Sequence, residues 1–99
     1  MAKVIFRQEA IADLNAIWTY TYDKWSEKQA DKYYVSLEFA CIQLGENPGL
    51  GKEYEEIKNN LLGLRTGKHI IFYHVVVEHE IEIVRILHEQ MDLINRLNE

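Results

Sequence analysis

A chain of 99 residues that is 47% apolar and 27% charged reads as one ordinary soluble globular domain, not a disordered or fibrous segment. No apolar run approaches the roughly 20 residues that cross a bilayer, and Lys3 to Ala10 is too polar for a secretory signal. The formal charge is −5, with seven acids against five bases in residues 1–50 and nine against six in the remainder. Proteins that grip nucleic-acid phosphates are more often basic, so direct sequence-specific nucleic-acid binding is not expected.

In chain order, Lys3-Val4-Ile5-Phe6 reads as a short strand. Ile11, Leu14, Trp18 and Trp25, with Ala10 and Ile17 beside them, recur at helical spacing and predict an amphipathic helix from about Gln8 to Lys24. Its start lacks a capping Ser, Thr, Asp or Asn, although Glu9 and Asp13 suit the positive end of the helix dipole. Ser26-Glu27-Lys28-Gln29 fits a capping box and opens a second helix with Ala30, Tyr33, Tyr34, Leu37, Cys41 and Leu44 on one face. Gly45 is expected to end it as a left-handed cap, before the break at Asn47-Pro48-Gly49. The lone cysteine, Cys41, cannot form an internal disulfide; it reads as a small hydrophobe on a buried helix face and suits a reducing cytoplasm.

Residues 49–60 form a polar loop rich in Glu and Lys, and three strands follow at about 61–65, 68–77 and 80–88. The last two are joined near Glu78-His79 without a turn glycine, and Asp92 to Leu97 is expected to form a final helical turn. The order strand–helix–helix–strand–strand–strand predicts an α+β domain: a helical hairpin packed on one face of a mostly antiparallel sheet. The opposite sheet face would then be partly open, and function could sit there.

The sequence contains no Gly-rich phosphate loop, no His-Glu-x-x-His, no Cys-x-x-Cys and no Gly-x-Ser-x-Gly. Strand alternation turns His69 and His74 to opposite faces, and His79 falls at a turn, so neither a metal site nor a cofactor is expected. Metal-free RNA cleavage would need a base, an acid and cations for the phosphate, and the residues that could supply them are Arg65, His69, Tyr73, Arg85 and His88. Each also has a structural reading. Arg65 suits an ion pair, Arg85 a side chain whose stem lies on apolar surface with its head in water, and the histidines suit hydrogen-bonded strand ends. Trp18, Trp25, Tyr33 and Tyr34 are expected in the core or between the helices. Tyr20 and Tyr22, if exposed, mark a surface that binds something. The Lys24, Lys28 and Lys32 row reads as a solvated face.

Several blocks resemble the ParE toxin family, within the RelE/ParE superfamily of type II toxin–antitoxin systems. They are Ala12-Asp13-Leu14 and Ile17-Trp18, then Trp25 and Gln29-Ala30, then Asn47-Pro48-Gly49-x-Gly51. The most specific are Gly67-x-His69-Ile70-Ile71-Phe72-Tyr73 and Arg85-Ile86-Leu87-His88, followed by Met91-Asp92. The resemblance covers nearly the whole chain and implies the α+β fold derived above. It also implies a cytoplasmic toxin, of the kind associated with plasmid stabilization, that poisons DNA gyrase by binding and is neutralised by a ParD-like antitoxin. Partner-contacting residues would be sought among Tyr20, Tyr22, Arg65, Arg85, His88 and Met91. The RelE-like branch implies an alternative, a ribosome-dependent mRNA endoribonuclease, and a non-toxic interaction domain is a third reading. RelE-like enzymes cluster Lys and Arg, whereas the loop here has only Lys52 and Lys58 among several Glu residues. Leu61-Leu62 stands where ParE members often have an aromatic–Arg pair, and His74 where they often have Arg.

Overall fold

The computed structural model describes residues 3–98, which form a five-stranded sheet carrying two long helices on one face. Strand β1 (Lys3–Phe6) leads into helix α1 (Gln8–Lys24) and helix α2 (Glu27–Glu46). A 3-10 turn (Pro48–Leu50) follows, then strands β2 (Lys52–Glu53), β3 (Leu62–Thr66), β4 (His69–Val77) and β5 (Glu80–His88), and a short helix α3 (Leu93–Leu97). The sheet order is β1-β5-β4-β3-β2; β1 runs parallel to β5, and every other pair is antiparallel. The α+β class and the order of the long elements are those expected from the sequence; β2 is an added strand inside the stretch expected to be loop.

Local chemistry sets most boundaries. Arg7 caps α1 with no side-chain bond, and the Ser26 hydroxyl accepts from the Gln29 N–H at 3.0 Å to open α2. Gly45, expected to end α2, is instead buried inside it; the helix runs on to Glu46. The stop comes from Pro48, which pushes the preceding Asn47 out of the helical region to φ −142°, ψ 82°. The one described glycine at positive φ is Gly67 (φ 61°), in the β3–β4 turn, where an added Cβ would lie 2.7 Å from the Tyr33 hydroxyl. In the β4–β5 turn His79 takes φ 64°, a region that His enters more readily than most residues.

The main core lies between the helices and the sheet. Ala10, Leu14 and Ile17 of α1 and Leu37, Ala40, Cys41 and Leu44 of α2 pack on Ile71, Tyr73, Ile81, Ile83 and Ile86. The α1 stripe is therefore rotated from its expected centre. Ile11 is half exposed and Trp25 is 72% exposed, while the buried line runs through Ala10, Leu14, Ile17 and Thr21. Spacings of 3, 4 and 7 fit several adjacent lines on one helix, and small residues at 10 and 21 let this line approach the sheet most closely. Trp18 is half buried, stacked on Tyr22 with ring centroids 5.2 Å apart, and it donates its indole N–H to Asp31. Tyr33 and Tyr34 are partly buried against the core, as expected.

The opposite sheet face is not open at this end. Leu61, Ile70, Phe72, Leu87 and Leu97 form a second core, covered by Tyr54 and Ile57 of the connecting loop and by Leu93 of α3. The loop reads as polar because its Glu and Lys residues face water, but Tyr54 and Ile57 point inward while Leu50 stays exposed. Toward the far end of the hairpin Val75, Val76 and Val77 are exposed. A bulge divides β5. Phe72 pairs with Arg85 and Tyr73 with Ile83, so Val84 is the extra residue. After it the alternation resets, and Ile86 rejoins Ile81 and Ile83 on the helical side.

Candidate functional site

Strand β1 stops at Phe6, opposite Ile83, so the rest of β5 has no strand on that side. Helix α1 crosses the bare edge instead. Its Asp13 carboxylate accepts from the Ile86 backbone N–H at 2.9 Å, replacing the bond that a neighbouring strand would have made. The same carboxylate takes a two-pronged contact from Arg85, Nε at 2.8 Å and a terminal nitrogen at 3.0 Å, and a second terminal nitrogen of Arg85 reaches the Arg96 carbonyl at 3.3 Å. The two side chains keep only 18% and 14% of their surface exposed. Arg85 was expected to hold its head in water; it instead bridges α1, the β5 edge and α3.

At the adjoining end of the sheet, His69 opens β4 and His88 closes β5 as direct cross-strand partners, with rings edge to face at 5.3 Å. The strand-end reading of both histidines holds. His69 Nδ1 lies 2.7 Å from the Tyr33 hydroxyl, which also accepts from the Lys68 N–H at 3.2 Å. Burial, then electrostatic repulsion from the neighbouring His88, lowers the His69 pKa to about 4, outweighing the pull of Asp13 and Glu89. His69 is therefore neutral near pH 7. Burial likewise raises the Tyr33 pKa, partly opposed by the Lys68 N–H bond. His88 Nδ1 accepts from the Gln90 N–H at 3.1 Å, which leaves the neutral ring's proton on Nε2. Arg65 pairs with Glu89 at 2.5 Å, the ion pair expected for it.

These residues border a groove of about 550 Å³ between α1 and the chain after β5, lined by Asp13, Ala16, Ile17, Tyr20, His69, Arg85, Ile86, Leu87, His88, Gln90, Met91 and Arg96. The fold thus gathers Tyr20, His69, Arg85, His88 and Met91 from the residues singled out in the sequence, and Arg65 stands beside them through Glu89. Tyr20 and Met91 are exposed on the rim. Tyr22 is exposed too but stacks on Trp18, away from this groove. Tyr73 does not belong to the site. Its ring is fully buried, and its hydroxyl donates to the Pro48 carbonyl at 2.5 Å and accepts from the Gly51 N–H at 3.0 Å, pinning the loop before β2. Burial raises its pKa, against the Gly51 bond.

Cys41 is buried with its thiol pushed up to about 12 by burial and then by Glu38, which makes it an inert packing residue. Among the described residues, no three His, Cys, Asp or Glu side chains gather to hold a metal ion, and no helix is long and apolar enough to cross a membrane. Sequence reasoning did not single out Tyr33, Arg96 or the Asp13 partnership for this site. The Asp13 block had been noted only as a likeness and as a dipole match; nothing local signals a contact spanning 72 positions.

The helical hairpin on a five-stranded mixed sheet is a fold shared with solved structures. The chain superposes with a TM-score of 0.77 at 23% identity on a chain of the chromosomal ParDE system from P. aeruginosa, covering 89% of this chain and 96% of that one. It superposes at 0.62 and 23% on a chain of the RelBE2 toxin–antitoxin complex from Mycobacterium tuberculosis, covering 89% and 98%. In sequence it is 36% identical over 92 residues to Toxin ParE1 of Mycobacterium tuberculosis, 93% of this chain and 94% of that one. It is 34% identical over 97 residues to Toxin ParE of Escherichia coli, 98% and 94% of the two chains. Residues 4–93 match the model of the ParE toxin of type II toxin–antitoxin system parDE. The chain belongs to the ParE toxin family of type II toxin–antitoxin systems.

Proposed function

We propose that this toxin acts in the cytoplasm by binding DNA gyrase rather than by cutting RNA, and that a ParD-like antitoxin holds it inactive. The observation that carries the non-catalytic half is the state of the groups that RNA cleavage would need. Arg85 and Arg65 are each engaged by a carboxylate, Asp13 and Glu89, instead of facing an empty phosphate cleft. His69 is neutral near pH 7 and so is not the imidazolium acid that would protonate a leaving oxygen, and Tyr73 is sealed in the core. The net charge of −5 argues the same way.

The antitoxin half is supported by the outer surface of the hairpin. Val35, Phe39 and Ile42 form an exposed apolar stripe on α2, beside a groove of about 730 Å³ lined by Asn15, Trp18, Thr19, Asp31, Tyr34 and Val35. An amphipathic segment that folds on contact suits such a surface. The test is to induce the chain alone in bacteria while following DNA and mRNA. Trapped gyrase–DNA complexes with an SOS response support the reading. Codon-linked mRNA cuts with intact DNA assign the RelE-type activity instead, and unchanged growth assigns a non-toxic interaction domain. Amide exchange that is equal on the hairpin with and without the antitoxin would remove that docking surface.

A further inference from the structure

We propose that the outward face of α2 pairs, antiparallel, with the same face of a second copy of this chain, about a two-fold axis level with Leu37. The inference does not rest on the gyrase reading, because it follows from one helix whatever the toxin acts on. Lys28, Lys32, Val35, Phe39, Ile42 and Glu46 succeed one another at alternating spacings of four and three, the repeat of a coiled-coil seam. They lie on the side of α2 opposite Leu37, Cys41 and Leu44, which pack toward the sheet. All six are exposed, and Val35, Phe39 and Ile42 keep 60%, 58% and 59% of their surface in water. Single surface hydrophobics are ordinary, but three large ones in an unbroken row at seam spacing fit another helix.

The charges choose the occupant. The row is basic at its start and acidic at its end, and among the described residues Lys28, Lys32 and Glu46 have no ion-pair partner. A copy laid antiparallel sets Lys28 against the partner's Glu46, Lys32 against the partner's Ile42 and Val35 against the partner's Phe39. Each contact is made twice, as an isologous interface requires. The last turn of α2 has no basic residue, and the partner's Lys28 supplies a cation to that negative dipole end. A parallel copy would instead set Lys28 on Lys28 and Glu46 on Glu46. Trp18 borders Val35 in the groove between the helices and extends the apolar contact. Glu38 stands next to the axis and meets its own copy, so the pair is reversible, with a dissociation constant of about 10–100 µM. The pairing covers the stripe that a ParD-like segment would use, so the two occupants exclude each other.

The test is sedimentation equilibrium of the purified full chain from about 5 to 500 µM, with methyl NMR over the same range. The mass should rise from monomer to dimer with concentration, and the methyl signals of Val35 and Ile42 should shift in step. Phe39→Glu, on an exposed side chain, should keep the chain monomeric throughout while its thermal unfolding at low concentration matches the parent. Lys28→Glu and Glu46→Lys should each weaken the pairing about fivefold, and the two together should restore it. A monomer at every concentration, including one whose stripe shifts only when a ParD-like antitoxin is added, would overturn the proposal. So would a dimer that survives Phe39→Glu, or a double charge swap that pairs no more tightly than the single ones.

Discussion

Asp13→Ala tests the bridge that holds α1, β5 and α3 together. In the folded chain the carboxylate accepts three hydrogen bonds, two from Arg85 at 2.8 and 3.0 Å and one from the Ile86 N–H at 2.9 Å. The side chains are 18% and 14% exposed, so the pair is closer to a buried than a surface one. An exposed pair contributes about 0–1 kcal/mol, whereas removing one partner of a buried pair costs about 3–5 kcal/mol. The residual exposure of Asp13 and the Arg85 contact to the Arg96 carbonyl place this site at about 2–4 kcal/mol. For a domain of this size, about 4–8 °C per kcal/mol gives a melting temperature lower by roughly 8–32 °C. Urea unfolding monitored by tryptophan fluorescence gives the free energy, and amide exchange gives the local effect. The Ile86 amide should lose protection first, because it loses its only strand-edge partner. Arg85→Met should cost less than Asp13→Ala, since Asp13 still accepts from Ile86. A cost below about 1 kcal/mol for Asp13→Ala, with Ile86 exchange unchanged, would refute the bridge.

Stability should fall on acidification because the His69 pKa drops to about 4 in the fold. The unfolded ring takes up a proton below about pH 6.5 that the folded ring refuses, so this contribution is complete above 6.5 and lost between 6.5 and 4. A shift this size corresponds to about 3 kcal/mol in full burial, and solvent around the half-buried ring reduces it to about 1–2 kcal/mol; urea midpoints for His69→Gln should vary less with pH than those of the parent, and an identical slope would contradict this origin. Tyr73→Phe removes the hydroxyl that ties Pro48 and Gly51 together and should cost about 1–3 kcal/mol in chemical unfolding, without lowering toxicity per folded molecule. Ser26→Ala removes the cap on α2 and should cost about 1 kcal/mol, with faster exchange confined to the first turn of that helix.

The helix and strand limits were legible wherever one residue type forces the backbone. Ser26 marks the start of α2, Pro48 its end, and the β-branched runs their strands. Gly45 misled because a glycine near a helix end suits a cap, yet this one is buried and leaves the turn to Pro48. The rotation of α1 was hidden because Ile11, Trp18 and Trp25 share a line as convincing as the one that is buried. Coverage of the second sheet face was invisible for a different reason. Tyr54, Ile57, Leu93 and Leu97 have no shared periodicity, and only the chain path brings them together. Arg85 and His88 were legible as unusual residues for a strand. Their partners were not, because Asp13 reaches Arg85 through tertiary structure, and the Val84 bulge that resets the strand leaves no mark in composition.

The most direct measurement of the central claim uses purified chain with purified gyrase, plasmid DNA and ATP. Protein-linked, cleaved plasmid should accumulate in proportion to added toxin and disappear when a ParD-like antitoxin is added first. Intact plasmid and normal supercoiling at every toxin concentration, alongside mRNA cut on translating ribosomes by the same preparation, would contradict it.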